Sequence, residues 1–322
     1  MRSSSVSTLE RWYYTAKSAA DPVVALRNRL RDDVGRFPSL SPQAVDVLGM
    51  AVHRGQFLDV DLAVSALRAC ALTDHIGVDL AMLSYTVEQL FDQLERQGVE
   101  AEQLASLEWL FLDLLDLSTR GTKTLHDLLA TRPAFFVEVL SLVYRADDEE
   151  PRELDEQDLA RLDRARGLLH SWHQPPGVAR NGTLDARALY TWVEEARTLA
   201  RDAKRSAIAN EHIGAVLRHV PMGSDGIWPH EALRDLIEQQ ANQDLEAGIR
   251  LEVTNSRGAT MRGVTDDGSQ ERGLAARYKA DAEQLNDRWH RTAQMLRDLA
   301  TEDAQDARRW DVRAALIRET ES

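Results

Sequence analysis

Apolar residues recur at helical spacing along almost the whole chain. The run VDLAMLSYTVEQLFDQLERQG (78–98) places them three and four residues apart, which puts them on one face of a helix. Neighbouring runs such as DVDLAVSALRACAL repeat the pattern, and β-branched residues are few. We therefore predict an all-α protein of about a dozen helices, arranged as a solenoid-like stack or an irregular helical bundle, with at most a short β-hairpin near 250–264.

Proline and glycine mark where several of these helices begin and end. Pro42 and Pro133 each precede an apolar periodic run, at the position where proline favours the first helical turn. Gly98 follows the last periodic residue of its run, where a left-handed residue commonly ends a helix. These residues predict two helix starts and one helix end.

An acidic, proline-containing segment, ADDEEPRE (146–153), interrupts the helical pattern. We take it as a domain boundary, which gives an N-terminal helical stack over 1–146 and a C-terminal helical unit over 147–322. The second unit contains a Gly/Arg loop at 256–269. After that loop, the pattern fits either one long helix or two antiparallel helices joined near Asn286.

Composition argues against several classes of function. The net charge of −14 disfavours nonspecific binding to nucleic acid, because phosphate neutralisation needs a surplus of Lys and Arg. The single cysteine, Cys70, lies in an apolar helical run, so we expect no internal disulfide and a buried, inert thiol. The N-terminus lacks an apolar signal core, and no apolar run reaches the ~18 residues of a membrane span. We therefore expect no membrane segment and a cytoplasmic location.

The sequence lacks recognisable catalytic and metal-binding motifs. It contains neither a Walker A loop, nor a dinucleotide fingerprint, nor a G-x-S-x-G elbow. His212 and His219 stand two helical turns apart, about 10 Å, which is too far for one metal ion. Gln174-Pro175 interrupts the helix that would bring His170 and His173 together. We expect no cofactor and no metal site, and the absences favour a non-enzymatic protein.

The glycine-rich segment 256–272 combines arginines with the start of a helix. Its candidate ligand-binding residues are Arg257, Arg262, Ser269 and Arg272. Arginine side chains and the free N–H groups of a helix N-terminus bind anions, so one interpretation is a site for a phosphate-bearing ligand. The segment also contains Asp266 and Asp267. The other interpretation is therefore a structural clasp, in which the arginines pair with nearby acids.

Aromatic residues near the breaks between helices are candidate contacts for a protein partner. They are Trp12, Tyr13, Trp228 and Trp310. Large aromatic side chains often anchor protein interfaces, although the same residues also fill ordinary cores. Together with the amphipathic helices, they point to protein–protein interaction.

Four phrases carry a resemblance to a known class of proteins: PAFFVEVLSLVYR, RARGLLHSWHQPPG, HIGAVLRHVPMGSDGIWPHEALRDLIE and NSRGATMRGVTDDGSQERGLAARY. Over about 130–310 the chain resembles the helical C-terminal region of large uncharacterised bacterial proteins, some of them candidates for antiphage defence. The resemblance implies an accessory helical module and supplies no established catalytic residues. We therefore expect a helical interaction, scaffold or target-recognition module of a bacterial defence system. The alternative is a sensor or enzyme that binds a phosphate-bearing ligand at 256–272.

Overall fold

The computed structural model describes residues 40–73, 78–115, 118–151, 153–256 and 267–320. Within these ranges every regular element is an α-helix, and an isolated antiparallel bridge joins Val178 to Leu184. The predicted all-α class is confirmed, and so is the expected number of helices, since the described ranges contain fourteen. No helix in this part of the chain is both long and apolar enough to cross a bilayer.

The chain divides into two compact units: unit 1 is Met1–Asp127 with Arg166–Leu168, and unit 2 is Leu128–Ala165 with Leu169–Ser322. The helices of the first half are α1 (Ser41–His53), α2 (Val60–Ala71), α3 (Leu80–Arg96), α4 (Ala101–Leu110), α5 (Leu112–Leu115), α6 (Lys123–Thr131) and α7 (Pro133–Val143). Those of the second half are α8 (Glu156–Ser171), α9 (Ala186–Asp202), α10 (Ser206–Leu217), α11 (Glu231–Gln240), α12 (Gln243–Asn255), α13 (Ser269–Leu285) and α14 (His290–Thr320). In the sequence, the division after Asp127 falls within α6, and the domain boundary at 146 stays a prediction.

The core of unit 1 contains the apolar faces of α1, α2 and α3, with α1 in contact with α2 and α3, together with buried residues of α4 and α5 and Phe111 between them. Leu48, Leu67 and Leu90, from α1, α2 and α3, are completely buried in it. The ring of Phe91 meets that of Phe111 edge-on, with centroids 6.2 Å apart. Each large apolar side chain contributes about 1.5–3 kcal/mol when buried. The periodicity that predicts these helices therefore also drives their assembly.

The helix ends follow the local chemistry of the sequence. Pro42 occupies the first turn of α1 and Pro133 begins α7, as predicted. Gly98, just beyond α3, has a φ of +77°, so the predicted glycine end of this helix is also confirmed. Asp59 and Asp79 accept hydrogen bonds from the first backbone N–H groups of α2 and α3. Each cap satisfies donors that the helix leaves unpaired.

In unit 2, α10 and α12 cross at unusually close range because each carries a glycine at the crossing. A Cβ atom at Gly214 would lie 2.1 Å from the carbonyl oxygen of Leu245. A Cβ atom at Gly248 would lie 2.0 Å from the carbonyl oxygen of Glu211. These distances allow no side chain, so the two backbones are in direct contact. The segment QDLEAGIRLEVTN is helical throughout as α12. The β-hairpin considered near 250–264 therefore does not include residues 250–255, and residues 257–264 lie outside the described residues.

The last two helices form an antiparallel hairpin. The break falls between Leu285 and His290, close to the predicted position, so the two-helix alternative is confirmed. At the start of α13, the backbone N–H of Gly268 donates to Asp311 Oδ1 at 3.0 Å. A Cβ atom on that glycine would lie 2.2 Å from the carbonyl oxygen of Ala307, which brings the beginning of α13 beside the second half of α14.

Candidate functional site

In the described part of the glycine-rich segment, Arg272 forms ion pairs near the start of α13. Arg272 donates to Asp311 Oδ2 at 2.6 Å and to Asp267 Oδ2 at 3.3 Å. The Ser269 hydroxyl and the Arg272 guanidinium lower the pKa of Asp267, and Arg272 together with the Gly268 N–H lowers that of Asp311. Arg272 is thus held by two carboxylates, an arrangement that matches the clasp interpretation for this residue.

Of the other predicted residues of this loop, only Ser269 lies within the described residues. Ser269 is the first residue of α13, and its backbone N–H is capped by Asp267 Oδ1 at 3.0 Å, while Gly268 takes the N-cap position. Arg257 and Arg262 lie outside the described residues. Phosphate binding at 256–272 therefore stays a prediction, and the acids that hold Arg272 would repel a phosphate.

The predicted aromatic contacts differ in exposure. Trp228 is only 9% exposed, and its indole N–H donates to the carbonyl oxygen of Arg218 at 3.2 Å. Trp310 is half-buried, with the guanidinium carbon of Arg313 5.2 Å from its ring centroid. Trp12 and Tyr13 lie outside the described residues. Trp228 thus contributes to the interior of unit 2, and a contact between any of these residues and a partner stays a prediction.

A completely buried arginine holds the loop that contains Trp228. Arg234 donates to both carboxylate oxygens of Asp225, at 2.6 and 2.8 Å, and to the carbonyl oxygens of Ile227 and Pro229. This bidentate geometry is the strongest that arginine offers a carboxylate. The hydrogen bonds from Arg234 lower the pKa of Asp225 to about 2. Residues 225–229 are therefore tied to α11 through a single side chain.

We expect Asp225→Asn to lower the free energy of unfolding at pH 6 by about 1 kcal/mol, a value reduced because the Asp225 side chain is 38% exposed. The native pKa lies below its usual 3.8, so this stabilisation is complete above pH 4 and is lost as the pH falls towards 2. Urea unfolding at pH 6, 4 and 2 should show the two proteins converging in acid. Asp202→Asn is the control, since that side chain is 68% exposed and should matter little at any pH. A difference that stays constant with pH would contradict the prediction.

A groove of about 560 Å³ runs between the two helices of the C-terminal hairpin; we call it the α13–α14 groove. Small side chains line it, among them Ala275, Ala300 and Ala304. Its basic lining residues are Lys279, Arg297 and Arg308, against one acidic residue, Glu283. The groove is therefore locally basic although the chain carries a net charge of −14.

Two exposed apolar residues extend the face of α14 that lines this groove. Val312 and Leu316 follow Arg308 at successive intervals of four residues and are 60% and 57% exposed. Residues four apart share a helix face, so small, basic and apolar side chains form one continuous surface. Lys279 and Arg308 have no ion-pair partner among the described residues, which leaves their charges available.

A second constellation in unit 2 brings together two histidines and a carboxylate. His173 follows α8, His219 follows α10, and Glu252 lies on α12. His219 Nε2 is 3.5 Å and His173 Nε2 is 3.9 Å from the same oxygen of Glu252, and the imidazole centroids are 4.5 Å apart. The three ligand atoms all lie within 4.8 Å of one another. We call these residues the His–His–Glu cluster.

Each member of the His–His–Glu cluster is positioned by a rigid neighbour. The close crossing at Gly214 and Gly248 sets the distance between the end of α10, just before His219, and the turn of α12 that carries Glu252. His173 follows Trp172, which is 3% exposed. The Trp172 ring packs against Phe136 and Trp192 at centroid distances of 5.7 and 5.8 Å. The backbone at His173 is thus anchored in the core although its own side chain is 55% exposed.

The electrostatics of the cluster favour a neutral imidazole at His219. Burial lowers the pKa of His219 to about 4, and the charges of His173 and Arg218 act in the same direction. Its Nε2 atom is buried and makes no hydrogen bond with the described residues. A neutral imidazole nitrogen is an electron-pair donor, which is the form that binds metal ions.

Sequence reasoning missed this cluster because it compared histidines within the same helix. The sequence spacing suggests comparing His173 with His170 and His219 with His212. The structure instead places His173 and His219 beside each other and beside Glu252. Half-buried His212 contacts the Tyr144 hydroxyl at 3.0 Å instead. The available signal was the pair of glycines in α10 and α12, which indicates a close helix crossing near His219 and Glu252.

Comparison with known proteins does not assign a function to the chain. No protein-family model, curated protein or solved structure matches the chain. The α13–α14 groove and the His–His–Glu cluster are the features of unit 2 whose geometry suits a ligand.

Proposed function

We propose that this chain is a non-enzymatic helical interaction module whose α13–α14 groove binds an acidic amphipathic helix of a protein partner. The observation that carries the proposal is the combination of an alanine-lined groove with three basic side chains in a chain of net charge −14. A bacterial defence setting and a cytoplasmic location, expected from the sequence, belong to the same proposal.

The small side chains suit the close approach of a third helix. Helices pack with axes about 8–10 Å apart, and alanine at the contact permits the shorter distances. The surface from Arg297 to Leu316 extends about 28 Å along α14 at about 1.5 Å per residue. It can therefore accommodate a partner helix of about five turns, which would cover Val312 and Leu316 and exclude water from them.

The basic side chains select the charge of the partner. Lys279 and Arg308 lie on opposite helices of the hairpin, so together they can contact acidic residues on both flanks of a bound helix. Complementary charge raises the rate of association and fixes the orientation of the bound helix. Burial of the apolar side chains Val312 and Leu316 against the partner supplies most of the affinity. A basic helix would meet like charges and should bind poorly.

We expect a labelled 20-residue amphipathic peptide, with leucines on one face and glutamates on the other, to bind the full chain in a fluorescence anisotropy titration. Charge reversal by Lys279→Glu with Arg308→Glu should weaken binding by at least about tenfold. The effect should shrink as salt is raised, because exposed charges are screened.

The matched control is Arg161→Glu with Arg201→Glu, which makes the same change of charge at exposed residues of α8 and α9. It should leave binding within about twofold of the original protein. The proposal fails if both double variants weaken binding equally, or if a peptide carrying lysines in place of the glutamates binds as tightly as the acidic one.

A further inference from the structure

The unsatisfied nitrogen of His219 is the starting point of an inference that is independent of the groove. Buried polar atoms in proteins almost always have a hydrogen-bond partner, water or ion. His219 Nε2 is buried without a hydrogen bond among the described residues and lies 3.5 Å from Glu252 Oε1, which is itself 3.9 Å from His173 Nε2. Three electron-pair donors thus surround one point.

We propose that His173, His219 and Glu252 bind a divalent transition-metal ion of the Zn²⁺ type. The ion would be held by the Nε2 atoms of both histidines and by the carboxylate of Glu252, from three separate segments of unit 2.

The donor set and its spacing fit such an ion. Imidazole nitrogen and carboxylate oxygen bind Zn²⁺ at about 2.0–2.2 Å, so two ligands at tetrahedral angles stand about 3.4 Å apart. The observed distances of 3.5 and 3.9 Å to Glu252 Oε1 need only small side-chain rotations to reach this value. Hard cations such as Mg²⁺ and Ca²⁺ prefer oxygen ligands alone, so the two imidazoles select against them.

The exposure of the cluster indicates how the ion would enter and what it would do. His173 is 55% exposed, whereas His219 and Glu252 are 23% and 16% exposed, so the site opens to solvent on the His173 side. Three protein ligands leave a fourth position for water, which permits exchange of the ion. Bound metal would fasten the segment after α8 to α10 and α12, and so stabilise unit 2.

Metal binding is tested on the full chain after treatment with a chelator. Titration with Zn²⁺ should show one equivalent bound and raise Tm by about 5 °C at a hundredfold excess over Kd. Titration with Co²⁺ should produce the intense visible absorption of a tetrahedral nitrogen- and oxygen-ligated ion. Mg²⁺ should produce neither effect.

Variants assign the ligands. His173→Ala, His219→Ala and Glu252→Gln should each weaken Zn²⁺ binding by at least about 100-fold. His173→Ala is the most informative, because an exposed side chain can be removed without loss of the fold, which circular dichroism verifies. His170→Ala, three residues earlier and exposed, is the control and should bind as the original protein does. Absence of stoichiometric binding below about 100 µM Zn²⁺, or equal affinity in His173→Ala and the original chain, overturns the proposal.

Discussion

Glu108→Ala is expected to lower the free energy of unfolding of unit 1 by about 4 kcal/mol. Glu108 is completely buried and accepts hydrogen bonds from the backbone N–H groups of Thr124 and Leu125, at 3.1 and 2.9 Å. It also accepts from the Thr124 hydroxyl at 2.7 Å and from the Arg120 guanidinium. Truncation removes the anion from the N-terminus of α6 and leaves a nearly buried arginine without its closest partner.

Two further variants make the test of Glu108 specific. Glu108→Gln keeps an acceptor oxygen and should cost roughly half as much as the alanine variant. Asp92→Ala removes another carboxylate partner of Arg120, one that is 44% exposed, and should cost less than about 1 kcal/mol. Urea unfolding gives the energies, and hydrogen exchange at the amides of α1 and α3, which lie wholly in unit 1, assigns them to that unit. Equal losses in Asp92→Ala and Glu108→Ala would show that burial of the ion pair does not matter here.

Gly248→Ala is the second change with a large expected effect, a net loss of about 2 kcal/mol in unit 2. The new Cβ atom would lie 2.0 Å from the Glu211 carbonyl oxygen, and because the obstacle is backbone, α10 and α12 must move apart. Such overpacking costs about 3 kcal/mol, offset by about 1 kcal/mol from the better helix propensity of alanine. Since the same crossing positions His219 and Glu252, Zn²⁺ affinity should fall as well if the His–His–Glu cluster binds metal.

Gly273→Ala is the matched control, because Gly273 also lies within a helix but no atom comes within 4 Å of its added Cβ. It should stabilise unit 2 by about 1 kcal/mol through helix propensity alone. The two variants therefore make the same chemical change with opposite expected signs. If thermal unfolding gave a stabilised Gly248→Ala protein, the close approach of α10 and α12 would be wrong.

The secondary structure was predictable because its causes are local. Helical periodicity, the prolines at Pro42 and Pro133 and the glycine at Gly98 act within a few residues of where they stand. The same local reasoning gave a hairpin break near Asn286 as one of two alternatives, the one that the structure shows. It also gave Cys70 as a buried thiol, and burial indeed raises its pKa to about 12.

The candidate sites were less predictable because they depend on residues far apart in the chain. Arg272 could be identified as a clasp or ligand residue from its segment, but its main partner, Asp311, lies on another helix. Arg234 lies in a charged helical stretch of the sequence, which is typical of an exposed helix face. In the structure it is nevertheless completely buried and forms an ion pair with Asp225. No spacing rule within one helix would have joined His173, His219 and Glu252.

The sequence by itself determined the class of this protein: which segments are helices, where several begin and end, and which faces are apolar. Those properties follow from backbone sterics, local hydrogen bonds and hydrophobic periodicity, which need no tertiary information. The tertiary structure decided which helices touch, and therefore where charge and metal-ligating atoms converge. Gly214 and Gly248 illustrate the reason. In isolation each glycine weakens its own helix. Where α10 and α12 pack together, the absence of a side chain at these positions lets the two backbones approach closely, which also brings the residues beyond the contact together.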